Sequence, residues 1–116
     1  MTQSFVPTEE AECLVLAQYL RLSSIQFAHI PNNTWTQSIK QKVKNKNMGV
    51  SPGVPDYMIV LPRCLLFIEM KRKKGGTVSE AQKEWIHNLN SISPTVIAVV
   101  CHGADEAIQT VEKYLN

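Results

Sequence analysis

Two charged residues, Glu69 and Lys71, end an apolar run that covers residues 64–70. Residues two positions apart in a strand point to the same face, so this carboxylate and this amine share a face with Phe67. Burying two ionisable groups beside apolar side chains costs free energy unless the groups are paired or bind a ligand. The pattern predicts either a structural ion pair at a strand end or a pair that takes part in chemistry.

A second carboxylate, Asp56, stands on the other arm of a hairpin that is predicted to turn at Pro62 and Arg63. Asp56 and Glu69 lie equally far from the centre of that turn, so we expect them to face each other across the two strands. Directly opposed residues have Cβ atoms about 5 Å apart. Two carboxylates so close repel each other unless a proton or a cation lies between them. A hard divalent cation, Mg²⁺ or Mn²⁺, suits such oxygen ligands.

Lys71 indicates what this site would do. A purely structural metal site needs no positive side chain beside it. Cleavage of a phosphodiester uses one, because the metal acidifies a bound water while a neighbouring ammonium orients that water or balances charge that develops on phosphorus. The three residues together therefore predict a site that acts on phosphodiesters.

A third carboxylate is expected from the first predicted helix, residues 8–22, for which Thr8 is a suitable N-cap. Its apolar stripe at helical spacing consists of Cys13, Leu14, Ala17 and Leu20. This stripe places Glu10 toward the body of the protein, where it could join the other two acids, while Glu9 and Glu12 point elsewhere. The alternative is a first-turn acid that only interacts with the helix dipole.

The remaining elements follow from apolar periodicity and turn residues. We expect strands at 25–30, 57–61, 64–70 and 95–101, and helices at 8–22, from 79 through 89, and at 103–115. Ser79 and Gln82 form a capping box at the start of the second helix. The order αβββαβα, with a right-handed crossover that makes the last strand parallel to the third, predicts an α/β fold. One mixed sheet flanked by helices would form a single domain of 116 residues.

The middle of the chain is basic. Residues 21–79 contain ten Lys and Arg and two acids, a net charge of +8, which leaves −6 for the flanks. This distribution favours an anionic partner, nucleic acid first, with solvated surface lysines as the alternative. Residues 34–55 are predicted to form a long polar loop that binds phosphates, in which Trp35 could stack on a base. The expected phosphate contacts are Lys40, Lys42, Lys44, Lys46, Arg72, Lys73 and Lys74.

The sequence lacks the motifs of several other classes of protein. The three histidines and three cysteines show no zinc-ligand spacing, and no P-loop or dinucleotide-binding glycine pattern occurs, so we expect no nucleotide cofactor. Three scattered cysteines argue against a disulfide framework and for a cytoplasmic location. No apolar run reaches the roughly 20 residues of a membrane span, and the N-terminus lacks a signal-peptide pattern, so we expect neither membrane insertion nor secretion.

Together these residues resemble the PD-(D/E)xK nuclease pattern, and more specifically a stand-alone VRR-NUC (virus-type replication-repair nuclease) domain. The resemblance lies in four segments that follow one another in the family's order: Thr8-Glu-Glu-Ala, Met48-Gly-Val-Ser-Pro-Gly-Val-Pro-Asp56, Phe67-Ile-Glu-Met-Lys71 and Ser79-Glu-Ala-Gln-Lys-Glu-Trp85. Each segment alone is common, whereas the set is specific.

The resemblance implies roles for individual residues. It implies metal ligation by Glu10, Asp56, Glu69 and the backbone carbonyl of Met70. Lys71 would be the catalytic lysine, and Gln82 would be a glutamine at the active site, a role that is compatible with the capping box. Relatives often carry Gln where this chain has Leu14, which keeps Glu12 open as the helix acid.

The resemblance also implies an activity. The protein would be a Mg²⁺- or Mn²⁺-dependent endodeoxyribonuclease that leaves 5′-phosphate ends and serves DNA repair in a bacterium, virus or phage. Stand-alone members resemble four-way (Holliday) junction resolvases that act as homodimers, so a homodimer acting on branched DNA is expected. Two alternatives remain: a module that binds branched DNA without cutting it, and an interaction domain whose acids are surface features.

Overall fold

The computed structural model describes residues 5–31 and 38–116. Its elements in chain order are α1 (Glu9–Leu22), β1 (Gln26–His29), α2 (Ile39–Asn47), β2 (Tyr57–Val60), β3 (Leu65–Lys71), α3 (Glu80–Asn90), β4 (Val96–His102) and α4 (Ala104–Leu115). The strands form one sheet in the order β1-β2-β3-β4, antiparallel up to β3, with β4 parallel to β3. The expected mixed α/β sheet with flanking helices is confirmed. None of the helices described has the length and apolar character needed to cross a membrane.

The hairpin of β2 and β3 has the register that the turn predicts. Tyr57 pairs with Ile68, and Val60 pairs with Leu65, so the two strands are symmetric about the Pro62-Arg63 turn. The expectation that the residues preceding β2 face the end of β3 is therefore confirmed.

One face of the sheet carries the main apolar core. Leu66, Ile68 and Met70 are fully buried on this face of β3 and belong to one cluster with apolar side chains of α1 and α4. Side chains alternate between the two faces along a strand, so Glu69 and Lys71 point to the other face. α3 packs against β4, and its Gln82 donates to Glu69, so α3 lies on this second face.

A buried acid joins α1 to α4. Glu12 is 5 % exposed, and its Oε1 accepts a hydrogen bond from the Ala104 N–H at 3.2 Å. Gly103 precedes α4 and has no side chain to cap it, so the carboxylate from α1 satisfies a first-turn N–H instead. Gly103 has a φ of +95°, and a Cβ there would lie 3.1 Å from Glu12 Oε2, so glycine provides both the backbone angle and the room.

The predicted polar loop of residues 34–55 contains a helix, so the loop prediction is wrong over α2. The helix begins after Ser38 as N-cap, and none of its residues is buried. Alternate lysines do not exclude a helix, because they form two i,i+4 pairs on opposite sides of it: Lys40 with Lys44, and Lys42 with Lys46. Residues 32–37, with Trp35, lie outside the described part of the chain.

We expect Glu12→Ala to lower the free energy of unfolding by about 1–3 kcal/mol, because the buried Ala104 N–H would lose its acceptor. Glu12→Gln should cost less, since its amide oxygen can still accept that bond. Urea denaturation followed by circular dichroism measures both changes. Glu10→Ala removes an exposed acid of the same helix and should stay within about 0.5 kcal/mol of the wild type. Equal losses for Glu12→Ala and Glu10→Ala would contradict the capping role.

Candidate active site

The site lies at the end of the sheet where β3 continues past the start of β2. β2 begins at Tyr57, so the last residues of β3 are beyond its reach. Beyond the end of β2, the Asp56 side chain provides a hydrogen-bond acceptor for β3: its Oδ2 accepts from the Met70 N–H at 2.7 Å. The Asp56 carbonyl accepts a second bond, from the Ile30 N–H, also at 2.7 Å. These two bonds fix Asp56 between the ends of β1 and β3.

The loop that leads to Asp56 packs closely against the start of α3. Gly53 has a φ of +89°, and a Cβ at this position would lie 2.5 Å from the carbonyl carbon of Ala81. Only glycine permits this approach, because any larger residue would overlap the helix backbone. Pro55 is fully buried. The loop therefore holds Asp56 against the helix that carries Gln82.

Three carboxylates from three elements meet at this place. One oxygen from each of Glu9, Asp56 and Glu69 lies within 4.8 Å of the other two. Glu69 is 2 % exposed, and its Oε1 is buried without a hydrogen-bond partner among residues 5–31 and 38–116. An arrangement of this kind is costly in the absence of protons or a cation, and its donors are the oxygens that a hard divalent cation prefers.

Burial and mutual repulsion both favour the protonated forms of these acids. Burial, and next the charge of Asp56, raise the pKa of Glu69 to about 8, although Lys71 acts in the opposite direction. Burial also raises the pKa of Asp56, against the lowering effect of the Met70 N–H bond. The pKa of Glu9 is raised by burial and then by the Asp56 charge. A bound cation would reverse this preference by stabilising the ionised forms.

Two donors hold the other oxygen of Glu69. Lys71 Nζ lies 3.6 Å from Glu69 Oε2, and Gln82 Nε2 donates a hydrogen bond to the same oxygen at 3.0 Å. The Gln82 amide oxygen accepts from the Ser79 N–H, while the Ser79 hydroxyl accepts from the Gln82 N–H. The predicted capping box is therefore confirmed. Because the cap occupies the amide oxygen, the amide nitrogen is the end of Gln82 that faces Glu69.

The helix acid in the group is Glu9, so the orientation expected for Glu10 is wrong. Glu10 is exposed and lies outside the group of three, and the fallback, Glu12, is buried against α4. The error comes from drawing the apolar stripe through Leu14, which is 66 % exposed. The buried face runs through Leu16 instead, and the residue two turns before Leu16 is Glu9.

The basic residues predicted to bind phosphates are all exposed. Four of them lie on α2, which residues 48–55 connect to Asp56. The other three, Arg72, Lys73 and Lys74, follow Lys71 directly in the chain. Arg72 donates to the carbonyl of Val6 at 3.3 Å, and Lys73 Nζ lies 3.7 Å from a carboxylate oxygen of Asp105. Exposed pairs of this kind are weak, so these side chains remain available to a phosphate.

Besides Glu9, sequence reasoning missed His29 as a residue of the site. It ends β1 directly opposite Tyr57 and belongs to a cleft of about 400 Å³, which we call the triad cleft. The triad cleft is lined by Glu9, His29, Pro31, Asp56, Glu69, Lys71 and Gln82. No motif marks His29 in the sequence. The only available signal is its place at the end of a predicted strand, and that becomes informative once β1 is known to lie beside β2.

The stability of the metal-free protein should fall as the pH rises from about 5 to about 8. Folded Glu69 keeps its proton up to a pKa of about 8, whereas its ordinary pKa is 4.5. Unfolding therefore releases a proton in this window, and stability is lost as the pH rises through it. Glu69→Gln should remove this dependence and melt above the wild type at pH 8.

Thermal denaturation in EDTA at several pH values measures this effect. Glu84→Gln, which neutralises an exposed acid of α3, is the control and should keep the wild-type dependence. If Glu69→Gln shows the same dependence as the wild type, the buried carboxyl is not its source.

Comparison with known proteins agrees with this geometry. The family model described as VRR-NUC domain matches residues 9–105, a span that includes the three acids and Lys71. Among solved structures, the chain is similar to a VRR_NUC domain protein with a TM-score of 0.78 and 26 % sequence identity, over 96 % of this chain and 90 % of that one. No curated protein matches the chain significantly. Because the family model covers most of the chain, the protein belongs to the VRR-NUC family and is a nuclease domain of the PD-(D/E)xK type.

Proposed function

We propose that this protein is a divalent-metal-dependent DNA endonuclease that hydrolyses phosphodiester bonds and leaves 5′-phosphate ends. The observation that carries the proposal is the meeting of three carboxylates beside the amine of Lys71 in one cleft. Family membership gives the reaction class. The crowding of the acids supports metal dependence, since carboxylate oxygens within 4.8 Å repel one another unless a cation or protons lie between them.

Glu9, Asp56 and Glu69 would hold Mg²⁺ or Mn²⁺, with the Met70 carbonyl as a further ligand. The donor set fits because every donor is an oxygen and because Glu69 Oε1 has no other partner in the part of the chain that the structure describes. The N–H and C=O of a paired strand residue point to the same side, so the Met70 carbonyl points to the side on which its N–H meets Asp56. The bound metal would supply Lewis-acid chemistry by lowering the pKa of a water and stabilising charge on the phosphate.

Lys71 would place a positive charge beside the reacting phosphate. The residue is 9 % exposed, and its amine is held near Glu69 Oε2. Poor solvation strengthens the attraction between an ammonium and the charge that develops on a phosphate oxygen. The ammonium can also donate a hydrogen bond that orients the attacking water. Gln82 is a positioning residue in this scheme, because its amide holds the Glu69 carboxylate in place.

The exposed cations of α2 and of the segment after Lys71 would bind backbone phosphates. Such contacts supply affinity and register on DNA without reading sequence. The proposed contacts are Lys40, Lys42, Lys44, Lys46, Arg72, Lys73 and Lys74.

Asp56→Asn is expected to lower the cleavage rate by at least about 100-fold, because it removes a charged metal ligand while keeping the size of the side chain. The assay uses 5′-labelled duplex, flap and four-way DNA, each with EDTA, Mg²⁺ or Mn²⁺. Phosphatase treatment and ligation of the products identify the end that carries the phosphate. Cleavage that survives Asp56→Asn would mean that another site or a contaminant is responsible. DNA binding with no cleavage by the wild type under any ion would favour the non-catalytic module.

Glu9→Gln and Glu10→Gln form a matched pair for the helix acid. We expect Glu9→Gln to weaken Mn²⁺ binding and cleavage by at least about tenfold, whereas Glu10→Gln should keep both near the wild-type values. Isothermal titration with Mn²⁺ and the cleavage assay measure the two effects. The reverse order would return the role to Glu10.

We further propose that the protein is a homodimer that acts on branched DNA, with the four-way junction as the preferred form. The basis is the resemblance of stand-alone relatives to junction resolvases, together with the ability of a two-fold dimer to present two active sites to two strands. Sedimentation velocity at micromolar concentration should give twice the mass of the chain. Cleavage should be fastest on four-way DNA in the assay described above. A monomer, or equal rates on duplex and four-way DNA, would contradict this part of the proposal.

A further inference from the structure

His29 stands where two clefts meet. Beside the triad cleft lies a second cleft of about 560 Å³. The second cleft is lined by Glu9, Glu10, Cys13, Leu14, His29, Asp56 and Tyr57. Glu9, His29 and Asp56 therefore line both clefts, and we call the boundary that they share the passage.

The imidazole of His29 is supported on one side and open on the other. Its ring lies 5.1 Å from the ring of Tyr57 between centroids, at an interplanar angle of 50°. Tyr57 is buried, and its hydroxyl donates a hydrogen bond to the Cys13 carbonyl of α1 at 3.3 Å. His29 itself remains exposed at the edge strand of the sheet. The tyrosine thus gives the imidazole a rigid support while leaving it accessible from the clefts.

The charges in the passage are unfavourable for DNA except at His29. Two of the three side chains shared by the clefts are carboxylates, which repel a phosphate and cannot donate to it when ionised. The donors Lys71 and Gln82 lie beside Glu69 in the triad cleft, outside the passage. An imidazole carries at least one N–H in its neutral and its charged form. Among the residues that the structure describes, His29 is therefore the side chain of the passage that can donate to a phosphate oxygen.

We propose that His29 is a substrate-contacting residue that donates an imidazole N–H to a phosphate oxygen of a DNA strand running from the second cleft into the triad cleft. This inference rests on the proposed nuclease function and adds the path of the strand to it. Leu14, Cys13 and Tyr57 give the second cleft an apolar lining, which suits the sugar and base of the nucleotide next to the scissile phosphate.

The test compares His29→Ala, His29→Gln and His87→Ala. His29→Ala should lower kcat/KM for cleavage by about 10–100-fold, the size expected for one lost contact to the reacting strand. His29→Gln should recover most of this loss because its amide keeps an N–H donor. His87→Ala removes an exposed histidine of α3 and should leave cleavage unchanged. The probe is the labelled DNA that the wild type cuts fastest, with Mn²⁺ affinity measured in parallel by titration.

The outcomes separate the contact from other roles of His29. Reduced cleavage by His29→Ala, with recovery by His29→Gln and unchanged Mn²⁺ affinity in both variants, supports the proposal. Cleavage by His29→Ala within about twofold of the wild type would overturn it and leave the proposed function standing. Loss of Mn²⁺ affinity in His29→Ala would overturn it in favour of metal ligation. A wild type that cuts no DNA would overturn the proposed function, and the role of His29 with it.

Discussion

Repulsion between Asp56 and Glu69 is the constraint on which the rest of the site depends. The hairpin register brings these carboxylates together at the end of the sheet, and the first turn of α1 adds Glu9. The described part of the chain supplies too little positive charge there to balance them, since Lys71 pairs with one oxygen of Glu69 while the other oxygen has no partner among the described residues. Proteins tolerate such an arrangement where stability is exchanged for a binding site. In the absence of a cation, the raised pKa values of Glu69 and Asp56 reflect this cost, because the acids reduce their repulsion by keeping protons.

The fold maintains this arrangement by fixing each acid from a different element. Asp56 is held by the main chain of both of its neighbours in the sheet, and its loop is pressed against α3 at Gly53. Glu69 is held by the amide of Gln82, whose other end is occupied by the helix cap. Glu9 lies at the start of α1, a helix that is joined to α4 through the buried carboxylate of Glu12. Because Asp56 and Glu69 are held by hydrogen bonds from different elements, these two acids cannot separate without breaking those bonds, and their repulsion persists until protons or a cation relieve it.

Features governed by local rules could be predicted from the sequence, and features governed by helix phase or by tertiary neighbours could not. The opposition of Asp56 and Glu69 follows from a short turn, and the cap at Gln82 follows from four consecutive residues, so both predictions needed no knowledge of the fold. The carboxylate that α1 brings to the group is Glu9 and not the expected Glu10, because Leu14 is apolar and yet exposed, which rotates the apparent buried face by one residue. His29 carries no local signal at all. It joins the site because β1 pairs with β2, which places His29 opposite Tyr57 although 27 residues lie between them in the chain.

The helix α2 shows how the basic part of the chain differs physically from the acidic site. None of its residues is buried, so apolar packing contributes little to keeping it helical, and helices of this length are marginal on their own. Its lysines form two i,i+4 pairs of like charge, Lys40 with Lys44 and Lys42 with Lys46, and each pair opposes helix formation. A polyanion such as DNA would neutralise both pairs and so stabilise the helix while it binds. The acids of the site repel one another, and a small cation would reduce that repulsion. The lysines of α2 repel one another, and a polyanion would reduce theirs. In the proposed function, a complex of metal, protein and DNA would therefore remove both repulsions at once.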